Sequence, residues 1–269
     1  MKSTVARSIS ATFALTLLSA SLAAGQSAEK ILETAQERYE KRMKGVDNYT
    51  IVQDVMGFQV STYFEKQMVD GRPMFVVKER YGGGEQEDFS EMYHDFMKIA
   101  DRAKVERKEK VGGFESHVLT IEDFSGLDFA ADEEFKPKKG TFYLDTGDYM
   151  LRKMVIEGTL ENEGRQAPVT MEALFLDYRD VDGVLHPFRT QMNMTGLAAG
   201  MSEKDMEEAR KSLKELREQM AEMPEDQRAM MQKMMGSQIE RLEEMVNSGN
   251  FEMTIEVKEL RVNQGPPQN

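Results

Sequence analysis

PVTMEALFLDYRDVDGVLHPFRTQMNM, residues 168–194, decides the fold of this chain. Two apolar-rich runs, 168–179 and 184–194, flank the polar connection Asp180-Val181-Asp182-Gly183. An Asp-Gly pair in a short polar link is turn chemistry, because Asp bonds nearby backbone and Gly accepts positive φ. The stretch predicts two strands joined by a tight turn. Similar units lie on both sides of it, so the prediction is a series of antiparallel strands.

Upstream, residues 140–145 and 149–161 read as strands around Thr146-Gly147-Asp148, and a Gly/Asn loop at 162–167 leads into the opening stretch. Residues 103–110 and 115–123 read as a hairpin about Gly112-Gly113, followed by an irregular loop over 123–137. Gly82-Gly83-Gly84 opens a connection to a short helix within 85–103 that carries Phe89, Met92, Phe96 and Ile99. Nearer the N-terminus the period is two. Over 52–64, Val52, Met56, Phe58, Val60 and Phe64 share one face, with Asp54 as an exception, and Asp70-Gly71 turns the chain into a strand at 74–78. Residues 27–44 carry Ile31, Leu32, Ala35, Tyr39 and Met43 at three- and four-residue steps, which predicts an amphipathic helix stopped by Gly45. A last strand, 251–262, alternates Phe251, Met253, Ile255 and Val257 against polar residues, and its alternation slips after Glu259, which suits a bulge. About ten antiparallel strands with short links predict an α+β domain over 27–263. Its expected form is one strongly curved sheet, a half-barrel with helices on its concave side. Residues 264–269 are expected to be a disordered tail.

Residues 202–248 interrupt the strands. Met206, Leu213 and Met220 lie seven apart, as do Ala209, Leu216 and Met223, which is an a/d seam with charge elsewhere. Ser202 is the expected N-cap, with Asp205 reaching back to it. Pro224 ends that helix and suits the start of a second, whose seam runs through Met231, Met235, Leu242 and Met245. The insert therefore reads as a helical hairpin. Met230, Met234, Ile239 and Val246 widen the second helix's stripe beyond what one partner covers, so Met230, Met231, Met234 and Met235 are candidate lid or docking residues.

The first 26 residues read as a secretory leader. Lys2 and Arg7 precede a mostly apolar run from Ile9 to Leu22, and Leu22-Ala23-Ala24-Gly25 offers small residues for cleavage. No cysteine occurs in the chain, which excludes disulfides, thiolate metal sites and a lipid-anchored N-terminal Cys. A soluble periplasmic protein is expected. The formal net charge of −13 becomes −15 once Lys2 and Arg7 are removed, which argues against nucleic acid as a partner.

Catalytic chemistry is sparse. His94, His117 and His186 fall in three separate predicted elements, and Gly82-Gly83-Gly84 lacks the Lys-Ser/Thr of a phosphate loop. The expectation is a protein that is not an enzyme and uses no cofactor and no metal. Methionine stands out instead, with 22 in 269 residues. Thioether side chains are flexible and polarisable, so a surface lined by them adapts to acyl chains of varied shape. The candidate ligand-binding residues of the concave face are Met56, Phe58, Val60, Phe64, Met154, Met171, Phe175, Met192, Met194, Met253 and Ile255. Two other uses of methionine remain open: gap-filling in a core, and copper(I) handling through Met230-Met231-x-x-Met234-Met235.

Three features together resemble a known family. They are the helix at 28–44 leading into Val46-Asp47-Asn48-Tyr49, the hairpin about Val111-Gly112-Gly113-Phe114, and Tyr178-Arg179-Asp180-Val181-Asp182-Gly183-Val184-Leu185-His186-Pro187. Over residues 28–80 and 104–262 the chain resembles the periplasmic outer-membrane lipoprotein-sorting proteins of the LolA/LolB-like superfamily. The resemblance implies an open half-barrel whose concave apolar face accepts lipoprotein acyl chains, and it implies the soluble carrier rather than the lipid-anchored receptor. The hairpin insert departs from the usual carrier. The partners implied are lipid or lipoprotein acyl chains and a membrane-bound donor or acceptor protein. The alternative is an interaction module that docks a protein through the hairpin.

Overall fold

The computed structural model of the chain describes residues 26–55, 57–69, 71–82, 96–125, 127, 135–162, 164–200 and 203–267. Residues 1–25 of the leader expected over 1–26, Met56, Ser202, His94 and most of the 85–103 helix expectation lie outside the described residues. Helix α1 (Ala28–Arg42) begins where the Ser27 hydroxyl accepts the Lys30 N–H at 3.2 Å, and a 3₁₀ turn (Met43–Gly45) ends it. Strands β1 (Asn48–Val55), β2 (Phe58–Val69), β3 (Arg72–Tyr81), β4 (Lys104–Val111) and β5 (Phe114–Ile121) follow. Then come β6 (Phe135–Asp145), β7 (Leu151–Asn162), β8 (Arg165–Val181) and β9 (Val184–Thr195). The short helix α2 (Leu197–Gly200), the hairpin helices α3 (Glu203–Glu222) and α4 (Glu225–Ser248), and β10 (Phe251–Val262) complete the chain.

All ten strands join one antiparallel sheet in the order β3-β2-β1-β10-β9-β8-β7-β6-β5-β4. The last strand inserts beside the first, and β3 and β4 form the two edges, so the sheet is open and has the curved half-barrel form expected. Register shifts interrupt the β1–β10, β2–β3, β4–β5 and β6–β7 pairings, and such bulges increase twist and bend a sheet. In β10 the extra residue is Lys258, lying between Val257 opposite Gln53 and Glu259 opposite Val52.

The opening stretch forms the β8–β9 hairpin. Asp182 and Gly183 both have positive φ, at 49° and 92°, and the Gly183 N–H donates to Asp180 Oδ1 at 2.9 Å. A Cβ on Gly183 would also meet the Arg42 carbonyl at 3.3 Å, so glycine here serves both the turn and the packing of α1.

One expectation fails in detail. The run 52–64 is not one strand: β1 ends at Val55 and pairs antiparallel with β2, which begins at Phe58. Antiparallel partners share a face, so Tyr49, Ile51, Gln53 and Val55 lie with Phe64, Thr62, Val60 and Phe58, whereas Val52 lies on the other face opposite Ser61. Gly57, at φ 88°, permits the reversal that alternation alone had concealed.

The face bearing Tyr49 and Phe64 is the inner one. α1 buries Ile31, Leu32 and Ala35 against inner residues of β5 to β8, including Leu119, Phe142, Leu144 and Ala173. Met43 and Val46, just beyond α1, join Phe64, Phe75, Phe188, Val257 and Leu260 in a second cluster. Helix α1 thus crosses one half of the inner face. In the hairpin, Met206, Ala209, Leu213, Leu216 and Met223 are half-buried and Met220 is buried, while the described side chains between them are exposed. Helix α4 touches α3, α2 and β10. Arg228 donates to the carbonyls of Met220, Ala221 and Met223 and so caps the end of α3.

Candidate functional site

Strand register assembles the candidate residues from five strands. Starting at β6, Phe142 pairs with Met154, Met154 with Ala173, Ala173 with Met192, and Met192 with Met253. Next to this row runs Gly140, Ile156, Met171, Met194 and Phe251. A third row runs from Phe175 through Thr190, Ile255 and Val55 to Phe58. All three rows lie on the inner face, because directly opposed residues point to the same side of a sheet.

Burial divides these residues in two. Phe64 and Phe175 are buried in the clusters beneath or beside α1, and Val60 is buried as well. Met154, Met171, Met192, Met194, Met253 and Ile255 are half-buried, and Phe58 is 58% exposed. Val77 on β3 is opposite Phe64 and is also exposed, so the apolar surface continues to the sheet's edge. Sequence reasoning placed Phe251 in the last strand's alternation without making it a candidate and did not single out Val55 or Val77; the face that Val55 shares with Phe58 is set by the β1–β2 pairing. Met56 lies outside the described residues, as do the side chains of Met234 and Met235. Met231 is half-buried and Met230 is 65% exposed.

A second construction borders this surface at the β6–β7 turn. Arg152 is buried, with Nη2 at 3.2 Å from Asp145 Oδ2 and 2.5 Å from Asp148 Oδ2. Its guanidinium also lies 4.2 Å from the Phe114 ring centre and 4.7 Å from that of Tyr178. Asp145 Oδ1 accepts the Gly147 and Asp148 N–H groups, and Tyr178 donates its hydroxyl proton to the Leu151 carbonyl. Arg42 bonds the Asp148 carbonyl and Arg38 the Gly147 carbonyl, which ties α1 to the turn. These groups satisfy one another, as a buried ion pair requires. Phe114, Asp148, Arg152, Tyr178, Phe188 and Arg189 line a cleft of about 760 Å³, which also touches Phe175 but none of the methionines.

The histidines do not converge. His117 lies on β5 and His186 on β9, and among the described residues no group of three or more His, Cys, Asp or Glu is placed to hold a metal. Burial lowers the pKa of His186 to about 4. Burial and, after it, Lys108 lower that of His117, with Glu115 and Asp145 acting against them. At the other side of the sheet, Asp123 is lowered to about 2 by hydrogen bonds from the Ser125 amide and hydroxyl and from Arg102. It is exposed and belongs to a loop ion pair, remote in sequence from every candidate residue.

The fold and this surface define the class: an open, curved antiparallel sheet carrying a helix across half of a partly apolar inner face. No family model and no curated protein matches the chain. Among solved structures it is similar to a DUF1329 family protein from Desulfovibrio piger ATCC 29098, at 10% identity and a TM-score of 0.41, over 90% of this chain and 96% of that one. It is also similar to the Mycobacterium tuberculosis lipoprotein LppX, at 15% identity and a TM-score of 0.22, over 46% of this chain and 86% of that one. No helix among the described residues is long and apolar enough to cross a membrane.

Proposed function

We propose that the chain is an exported, non-catalytic carrier that binds acyl chains, free or attached to a protein, on the uncovered half of its inner face. The leader at 1–26 directs this reading to the periplasm, where a carrier exchanges its cargo with a membrane-bound donor or acceptor. The observation that carries it is the register. Five methionines from β7, β8, β9 and β10 lie half-buried side by side on the inner face, together with Ile255 and Phe58: Met154, Met171 and Met192 pack against the edge of the α1 cluster, and Met194 and Met253 lie beyond it. Half-buried thioethers can change rotamer without breaking a hydrogen bond, which suits a flexible apolar ligand.

Native mass spectrometry of gently purified protein should find co-purified lipid, and the protein should take up a fluorescent fatty acyl probe. Met253→Glu places a charge in the middle row at a side chain outside the cluster under α1. It should weaken probe binding at least about tenfold, or 1.4 kcal/mol, with the far-ultraviolet spectrum unchanged. Protein that carries no lipid and takes up no probe sinks the proposal.

A second reading, a protein docked on the hairpin, is favoured by Met230, a large apolar side chain 65% exposed on a charged helix. Copper(I) handling through Met230, Met231, Met234 and Met235 rests on sequence spacing alone.

A further inference from the structure

Two polar side chains interrupt the apolar inner face where the half covered by α1 meets the open half. Gln53 is 3% exposed and Thr62 is 1% exposed. Gln53 lies opposite Val60, and Thr62 opposite Ile51, so the two are diagonal neighbours on β1 and β2. On one side of them are Ile51 and Phe64 of the covered cluster, and on the other Val55 and Phe58 of the open surface. Gln53 Oε1 and Thr62 Oγ1 are buried, and among the described residues neither has a hydrogen-bond partner. A buried polar oxygen left without a partner is destabilising, and two neighbouring ones on one face are uncommon in a fold. Ser116, Thr159 and Asn193 also carry such an atom, but they lie on the other face and on three different strands.

We propose that Gln53 and Thr62 anchor the head of the acyl ligand, and that this head is neutral and carries a hydrogen-bond donor close to the chain. The inference rests on the acyl-carrier reading above. An amide oxygen can only accept, so a carboxylate or phosphate, which offers lone pairs alone, leaves Gln53 Oε1 unpaired. A threonine hydroxyl both donates and accepts. An amide N–H with its carbonyl, or a glycerol hydroxyl, satisfies both side chains at once. Arg80, opposite Thr62 on β3, also buries its Nε–H and makes an interaction of its own. The two oxygens are shut off from solvent, so the head reaches them by displacing neighbouring side chains.

The test measures displacement of a fluorescent fatty acyl probe from the full chain by matched ligand pairs. N-lauroylglycine methyl ester is compared with N-lauroylsarcosine methyl ester, which replaces the amide N–H by N–CH₃. 1-Lauroylglycerol is compared with its di-O-methyl ether. The native protein should prefer the donor-bearing member of at least one pair by about tenfold, and the pair that shows it identifies the donor as amide or hydroxyl. In Gln53→Met/Thr62→Val the preference should fall within about twofold, while the methylated ligand binds as before. If the double variant does not fold, Thr62→Val alone, which preserves shape, should lose part of the preference. No preference in either pair overturns the inference, as does a preference retained in the variants. A rise in melting temperature with the preference unchanged also overturns it, because the pair is then only a structural defect. Failure of every ligand to displace the probe, or of the probe to bind, removes the acyl-carrier reading and this inference with it.

Discussion

His186 lies on the inner face between Val184 and Phe188, both members of the cluster around Met43, and burial holds its pKa near 4. The unfolded chain has the ordinary value near 6.5, so above that pH the imidazole is neutral in both states and contributes nothing. Between about 6.5 and 4 the unfolded chain takes up a proton that the native protein refuses, and stability falls with pH. A depression of this size removes roughly 3 kcal/mol by the lower end of that window. His117 acts in the same direction. Urea unfolding of the native protein and of His186→Gln at pH 7 and pH 4.5 should show a smaller loss for the variant; equal losses would place the acid sensitivity elsewhere. At this scale the sequence was silent, since the three histidines are far apart in the chain and only packing decides which of them is dehydrated.

At the scale of elements, the hairpin is nearly self-sufficient. Its seam closes α3 on α4, Arg217 pairs with Glu243 across it, and Gly249 at φ 74° ends α4 with its N–H on the Met245 carbonyl. Its first helix touches the second, and the second reaches the sheet at β10. Replacing 202–248 with a short Gly/Ser linker should leave one cooperative unfolding transition and lower ellipticity at 222 nm. Loss of all cooperative unfolding would show that the sheet depends on the hairpin. Capture of a partner by the native chain and not by this variant would support the docking reading. The heptad spacing made this element legible, because seven-residue steps bring side chains back to one helix face. Burial of Ile239 and Val246, which lie off that seam, required the contacts of α4 with α2 and β10.

For the whole molecule, an open sheet leaves two edges that can pair with another chain. On β4 the edge carries Lys104, Glu106, Arg107, Lys108, Glu109 and Lys110, all exposed. Charge at an edge opposes strand addition by a second copy. Lys108→Val/Lys110→Val should therefore raise the sedimentation-derived mass at high protein concentration, and a variant that stays at the native mass would show that charge is not what guards this edge. On the opposite edge, Pro73 on β3 lacks a backbone donor, which interrupts the ladder a partner strand would read.

Turn chemistry at 180–183, helix periodicity at 27–44 and the heptads of 206–223 are local properties, so the sequence by itself determined the class, the antiparallel series and the inserted hairpin. It also picked out Met154, Met171, Met192, Met194, Met253 and Ile255, because alternation along a strand needs no partner to be seen. Only the tertiary structure decided which rows these residues form and where those rows end. The antiparallel pairing of β1 with β2 reverses the chain and puts Val52 on the other face, since a hairpin resets which side chains lie together. The bulge at Lys258 lets Val257 and Leu260 both face inward despite their odd spacing. The pairing of β1 with β10, residues some 200 positions apart, sets Gln53 beside Ile255 and Val257 at the border of the open surface. Pairing between distant strands depends on the whole sheet closing around one core, and no local pattern encodes it.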